Sequence, residues 1–569
     1  MNRRNFVKNS SLALCTLPVV GSLAFQPVAA TKKPDWILYL INSNDSRYEN
    51  HLKNRISDRS NPAYGGFQDS VEIPNPHSTI SFVIFASTAL ICPESKYFKS
   101  QKLITELTQA LQFLVSIQHS DGTIDLLSTN FHSTPDTAFM VTWVTPLYRM
   151  LKKMNEPQYA APLKPYEIFL RQAGEALTYG GIHTPNHRWV VTAGLTELNK
   201  TWPNQKYVDR AEEWLAEKID LDADGQFTER STFVYSPLTD RVLLTIAEGL
   251  LKPEIFEAVR KNLEMNIYYV HTNGEVVTEA SNRQDKSVVG TMEGYYYPYR
   301  YLALKDKNPR FSAMCKSIEE AGISKIGSQL TYFLEDESLW KELPKPTELP
   351  KSYVKAFPIS GLVRVRKNNW DATLISENPV FLTFYKGNAV LQGLRFSASF
   401  FGKGQFQTDE IVPDGKNWVL SKSLEGPYYQ PFPKDLIPGD GDWEKLSRSK
   451  RKQSEIQQFQ SNATVRVMET GLEVDIEITG TDGVPVSVEL IFREGGELKN
   501  VMSLNKDKKS YLLEDGQLGS YHTGTDTIHF GPGLSKHKGV ELRGALPKMD
   551  APTVYLTGFT PFKHTLKLS

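Results

Sequence analysis

The chain has 569 residues, with 65 lysines and arginines balanced by 65 aspartates and glutamates, and is 23% charged and 40% hydrophobic. This is globular composition, long enough for two to four domains at about 100–200 residues each, and it excludes a disordered chain or a small disulfide scaffold. A formal net charge of zero gives no field over the whole molecule that would draw it to nucleic acid, which leaves only local basic clefts. Aromatic residues make up 11% of the chain, 25 of them tyrosines, a supply that suits sugar-stacking clefts as well as cores.

At the N-terminus, Asn2-Arg3-Arg4-Asn5-Phe6-Val7-Lys8 precedes the apolar run Ser11 to Phe25 and the small-residue stretch Pro27-Val28-Ala29-Ala30. This reads as a signal peptide over residues 1–30, either twin-arginine-like or an ordinary secretory leader. Bulky Leu14 before Cys15 argues against a lipoprotein anchor. An exported protein, periplasmic or secreted, is expected. Its mature form keeps Cys92 and Cys315, enough for one disulfide or none. No other stretch is long and apolar enough to span a membrane.

From 31 to 342 the apolar residues recur at helical spacing, as in Leu103-Leu107-Leu111-Leu114, the run Ala211 to Glu217, and Leu243 to Leu251. Three turns share a loose signature: Asp121-Gly122, Asp224-Gly225 and Asn273-Gly274. Each follows an amphipathic helix, with glycine supplying the positive φ expected after the helix end. Their glycines lie about 103 and about 49 residues apart, a period near one helical hairpin of about 50 residues. A ring of helical hairpins, an (α/α) toroid whose loops meet at one rim, is the expected first domain. Residues 343–350, with Pro344, Pro346 and Pro350, form a stiff linker. Beyond it, over 351–569, short alternating runs such as Gly361 to Arg366, Ala372 to Ile375, Val380 to Tyr385, Ala463 to Val467, Leu472 to Ile478 and Val486 to Phe492 predict an antiparallel β-sandwich. The fold class is therefore all-α followed by all-β.

Polar clusters on the helical half mark candidate sites. In Thr184-Pro185-Asn186-His187-Arg188, Pro185 predicts a helix start, and Asn186, His187 and Arg188 stand where helix N-terminal amides favour an anion. Asp224 to Arg241 is dense in titratable and hydroxyl groups on a loop expected to precede a helix near Val242. In it, Glu229, Arg230 and Tyr235 are candidates, with Tyr235 able to move a proton beside a cation. His271, the 278–286 stretch with Arg283, and the tyrosines from Tyr295, among them Tyr296, form a third cluster, where Arg283 suits a carboxylate. His132, after the first turn, is a further rim residue. No GxSxG elbow, HExxH helix, Walker loop or CxxC pair occurs. No cofactor or catalytic metal is called for, which leaves room only for a structural calcium or zinc ion.

Together, Asn186-His187, the run Asp224-Gly225-x-Phe227-x-Glu229-x-Ser231-x-x-x-Tyr235, Arg283-Gln284-Asp285 and Phe357-Pro358-Ile359-Ser360-Gly361 resemble the heparinase II/III-like and related uronate polysaccharide lyases. Lyases that remove L-rhamnose from glucuronate in arabinogalactan are one narrower match. The resemblance implies β-elimination at C4 of a uronic acid on a glycan partner. Asn186 and His187 would bind the uronate carboxylate, Tyr235 would act as base with the acid role open to it as well, and Arg283 would support the anion, with Arg188, Glu229, Arg230, His271, Tyr296 and His132 as substrate contacts. A sandwich histidine, His522 or His529, would reach the cleft. One departure stands out: the chondroitin and hyaluronan type carries a histidine six residues after its Asp-Gly aspartate, where this chain has Arg230. Two rivals are a glycoside hydrolase using paired carboxylates such as Asp136, Glu229, Asp240, Asp285 or Glu293, and a non-catalytic glycan binder. Neither nucleic acid nor membrane insertion is expected of it.

Overall fold

In a computed structural model the structure describes residues 32–504 and 509–569; the leader at 1–30 lies outside the described residues. Helices occupy the first part: α1 (Asp35–His51), α2 (Pro76–Ile91), α3 (Gln101–Ile117), α4 (Thr134–Lys153), α5 (Ala160–Tyr179) and α6 (Pro185–Thr201). They continue with α7 (Gln205–Ala216), α8 (Tyr235–Gly249), α9 (Ile255–Asn266), α10 (Tyr296–Asp306), α11 (Pro309–Gly322) and α12 (Leu330–Glu335). Their burial sorts them into two layers. In α6 nearly every residue from Asn186 to Leu198 is buried, whereas α7 buries only Tyr207 and Ala211. A helix buried on all sides belongs inside and an amphipathic one outside. So α2, α4, α6, α8 and α10 form an inner ring, each packed on the next, with α3, α5, α7, α9 and α11 around them and α1 and α12 closing the ring. This is the (α/α) toroid.

Three connections from outer to inner helices repeat one device. In the turns 119–123, 222–226 and 271–275, the first residue's N–H bonds the fifth residue's carbonyl, and the glycine N–H bonds the first residue's carbonyl. Gly122, Gly225 and Gly274 take φ of 83°, 94° and 84°, a region open to glycine at no steric cost. The glycines are not helix C-caps, however. The preceding helices stop at Ile117, Ala216 and Asn266, several residues earlier, and the turns are small hairpins that aim the chain into the next inner helix. Because every inner helix is entered from the same side, α2, α4, α6 and α8 begin at one rim. There their aligned peptide dipoles present partial positive charge.

From Ser352 to Leu568 the chain is strands packed as two sheets. A meander of Leu362–Lys367, Trp370–Ile375, Leu382–Lys386 and Ala389–Ala398 builds the sheet next to the toroid. The second sheet is built around the long hairpin Asn417–Tyr429 and Gln453–Val467. Among the described strands all ladders are antiparallel except Ser510–Leu512 against Thr553–Phe559, which is parallel, as is the isolated bridge Ser535–Thr557. Val365, Ala372, Phe384, Val474 and Ile476 meet between the sheets. The opposite face of the first sheet carries Arg364, Asp371, Thr373 and Thr383, all buried, because the toroid covers it. Cys92 and Cys315 are buried free thiols, each raised by desolvation. No helix of the described residues is long and apolar enough to cross a membrane.

Candidate active site

Asn186 and His187 occupy the second and third positions of α6, after Thr184 at its N-cap and Pro185. Tyr235 is the first residue of α8, not part of a preceding loop, so both segments open inner helices at the rim. The Asn186 amide donates to both oxygens of Glu229, at 2.9 and 2.8 Å, and to Thr184 Oγ1 at 3.2 Å. Its own Oδ1 and the Nδ1 of His187 are buried without a partner. Orphaned buried polar atoms are costly, and side by side at a helix start they are capacity waiting for a ligand.

Electrostatics sharpen this. Burial, then His183 and Arg283, push His187 down to about 4, so near neutral pH the ring is uncharged and holds one N–H to give. Burial raises Glu229 above the usual carboxylate range, against the Asn186 hydrogen bonds and the Arg283 charge. A depressed histidine pKa means that the unfolded chain binds the proton first. The stability His187 contributes is therefore present above its unfolded value of about 6.5 and is lost as pH falls from there toward 4. Native stability is expected to decline over that window, less so in His187→Gln, as measured by denaturant titration at stepped pH.

Tyr235 receives Gln284 Nε2 on its hydroxyl oxygen at 2.6 Å, and the Arg283 guanidinium lies 5.1 Å from its ring centroid. Arg283 makes no ion pair among the described residues, and its Nε is buried without a partner, so its charge is available to an anion.

One buried carboxylate ties these parts together. Asp285, 1% exposed, accepts Ser231 Oγ at 2.9 Å and the Phe233 N–H at 3.1 Å, while Ser231 Oγ in turn accepts the Tyr235 N–H at 3.0 Å. Its other oxygen takes Ser281 Oγ at 2.5 Å, and Ser281 Oγ accepts the Arg283 N–H at 3.1 Å. Asp285 thus sets Tyr235 and Arg283 relative to each other. Asp285→Ala strands several buried donors, each worth about 1–3 kcal/mol. The expected result is a lower unfolding midpoint together with a drop in kcat beyond what the lost stability explains.

The remaining candidates are dispersed. Arg188 turns away to Asp220 at 2.9 Å and Glu217 at 3.2 Å and covers Trp189. Arg230 donates to the Ile359 carbonyl at 2.8 Å, while Asp224 accepts the N–H groups of Ile359 and Ser360, both at 2.8 Å. That turn clasps the sandwich. His271, 1% exposed, lies between the domains on Asp371 at 2.7 Å and stacks on Tyr385. Tyr296 is wholly buried in the toroid core, bonded to Glu319 and packed edge-on to Trp36. His132 is on the rim, bonded to Asp121 at 2.7 Å and stacked on His119. His522, bonded to Ser520 and Thr527, and His529 belong to strands of the second sheet, with side chains opposite to the core-facing Tyr521 and Ile528. They face away from the toroid. No cluster of three or more metal-ligating side chains occurs among the described residues.

Comparison with solved structures places the fold. The chain matches a Streptomyces coelicolor chondroitin AC lyase solved with chondroitin sulphate, at 12% identity and TM-score 0.54, over 96% of this chain and 78% of that one. It matches a Paenibacillus xanthan lyase at 9% identity and TM-score 0.57, over 94% of this chain and 57% of that one. It also matches heparinase III at 11% identity and TM-score 0.52, over 96% and 84% of the two chains. The chain has the fold of these lyases. At such identities the likeness speaks for architecture alone, and toroids host several chemistries. No family model and no curated protein matches the sequence.

Proposed function

We propose that the protein is a polysaccharide lyase that cleaves the bond at C4 of a uronic acid by β-elimination. The observation that carries this is the juxtaposition, at one rim, of the unpartnered Asn186 and His187 atoms with Tyr235, Gln284 and an unpaired Arg283. The C5 proton of a uronate is poorly acidic while its carboxylate is charged, so the site must offset that charge before the proton moves. The neutral His187 N–H and the Arg283 guanidinium supply a donor and positive charge for it, while Asn186, donating to Thr184 and Glu229, holds Glu229 beside them. Tyr235 Oη then takes the C5 proton. Gln284 and Arg283 set a donor and a cation beside the oxygen that carries the exchanged charge. The departing C4 oxygen leaves an unsaturated uronate.

The rival hydrolase needs a carboxylate free to activate water. Asp240 is wholly buried, Asp285 is tied to the Ser231 and Ser281 loops, and Glu229 is held by Asn186, which weighs against it. The substrate class is a uronate-containing glycan met outside the cytoplasm, and the rhamnose–glucuronate ends of arabinogalactan are the first substrate to assay. Digestion of arabinogalactan, heparan, alginate and pectin fragments is expected to raise ultraviolet absorbance as the conjugated uronate forms. Saturated reducing ends without that absorbance would establish hydrolysis instead.

A further inference from the structure

β-Elimination also needs a proton for the departing oxygen; Tyr235 holds one once it has taken the C5 proton, and the other groups assigned so far are poor sources. His187 is held neutral and Glu229 is bonded to Asn186. Two helices back along the inner ring, His77 stands at the second position of α2, after the N-cap Asn75. Its Nε2 lies 3.6 Å from Asp136 Oδ1, and Asp136 is the third residue of α4. Asp136 is 6% exposed. Its Oδ2 takes Ser133 Oγ at 2.5 Å and Asn130 Nδ2 at 3.0 Å, which leaves Oδ1 toward His77. Burial alone would raise this carboxyl, but His77, Ser133 and Asn130 together hold it below the usual range, so a carboxylate faces the imidazole. The His77 side chain keeps 29% of its surface open.

This pair adjoins the proposed carboxylate site. Asp136 acts electrostatically on His187, and Phe139, one turn along α4, packs edge-on against the His187 ring at 5.9 Å. Two other imidazole–carboxylate pairs stand on the rim, His119 with Asp125 and His132 with Asp121. Their rings stack face to face with centroids 3.7 Å apart, each held by its own aspartate. His132 and both aspartates belong to the turn and hairpin before α4, outside the inner ring.

We propose that His77 is the general acid of the elimination, with Asp136 as the positioning residue that orients its ring; the assignment rests on the lyase reading. Tyr235 enters as the phenolate and takes the C5 proton, and the C5–H electron pair becomes the C4–C5 double bond. The C4–O pair departs with the oxygen, which takes the ring proton of His77. Solvent then carries the proton from Tyr235 back to His77, and both groups are restored.

The test compares two leaving groups, the glycan itself and a uronide bearing fluoride at C4, which departs without a proton. His77→Gln is expected to lose roughly 10²–10⁴-fold in kcat on the glycan and less than about 5-fold on the fluoride. Asp136→Asn, which keeps the side-chain shape, is expected to show the same split in smaller degree. Equal loss on both substrates, or full activity on the glycan, overturns the assignment and leaves the lyase reading standing. Wild-type protein that forms no unsaturated uronate from either substrate overturns both.

Discussion

Tyr235→Phe is expected to lower kcat on the glycan by roughly 10²–10⁴-fold, the range for losing a positioned proton-transfer group, with KM and the unfolding midpoint nearly unchanged. The separation follows from the contacts. The bond from the Tyr235 N–H to Ser231 Oγ and the packing of the ring under Arg283 survive the substitution, and only Gln284 loses its acceptor. Gln284 is solvent-accessible, so its amide can turn to water at little cost. Asn186→Ala contrasts with this. It removes the donor to Glu229 and the orphaned Oδ1 together, so both binding and turnover should suffer. Steady-state kinetics on one defined oligosaccharide distinguish the two patterns. Near-normal turnover by Tyr235→Phe would remove Tyr235 from the chemistry.

The start of α6 was legible because proline marks a first helical turn and Pro185 stands there. The start of α8 was not: Val234 at its N-cap makes no side-chain capping bond, so Tyr235 read as loop although it opens an inner helix. The repeated Asp-Gly and Asn-Gly turns were visible in composition, but their role as hairpins depends on a bonding pattern that residue types alone do not specify. Arg230 and His271 looked like site residues from their position in the chain. Their partners, Ile359 and Asp371, lie 129 and 100 residues onward, beyond any local pattern. His77 drew no notice for the same reason, since its partner Asp136 comes from another inner helix. The strands were recognisable from alternation, yet alternation assigns Arg364, Asp371 and Thr373 to a solvent-facing side. Only the docked toroid makes that side an interior.

That second interior carries the largest expected stability effect. Arg364 and Asp371, both fully buried, pair at 2.9 Å. Asp371 also bonds His271 Nδ1 at 2.7 Å and accepts the Thr272 N–H at 2.6 Å. Arg364 donates from Nε to the Tyr268 carbonyl at 3.0 Å and from Nη2 to the Val270 carbonyl at 3.1 Å, and its Nη1 reaches Thr373 Oγ1 at 2.6 Å. Glu279 of the toroid accepts the hydroxyls of Thr373 and Thr383 at 2.9 and 2.8 Å, and Arg493 forks onto Glu275, both bonds at 2.8 Å. Every charge has a partner in the other domain, so the cluster fixes how the two dock. Burial opposes the charged form of each group, yet the His271 and Arg364 charges win and hold Glu279 down to about 2 and Asp371 lower still, while Asp371 and Glu279 raise His271. The depressed carboxylates stabilise the native state above their unfolded values of about 4 and lose that contribution in acid. The raised histidine stabilises it fully below about 6.5 and loses that contribution as pH rises through its folded value. The seam is therefore expected to be firmest between about pH 4.5 and 6.5. Asp371→Ala leaves Arg364, His271 and the Thr272 N–H without their acceptor, and breaking a buried pair in this way costs about 3–5 kcal/mol. Calorimetry should show a lowered and less cooperative transition as the domains uncouple, and Thr383→Val, which removes one neutral donor, should lose only about 1 kcal/mol. A loss below about 1 kcal/mol in Asp371→Ala would mean that water enters the seam and solvates the stranded charges, and that apolar contact rather than this cluster holds the domains together.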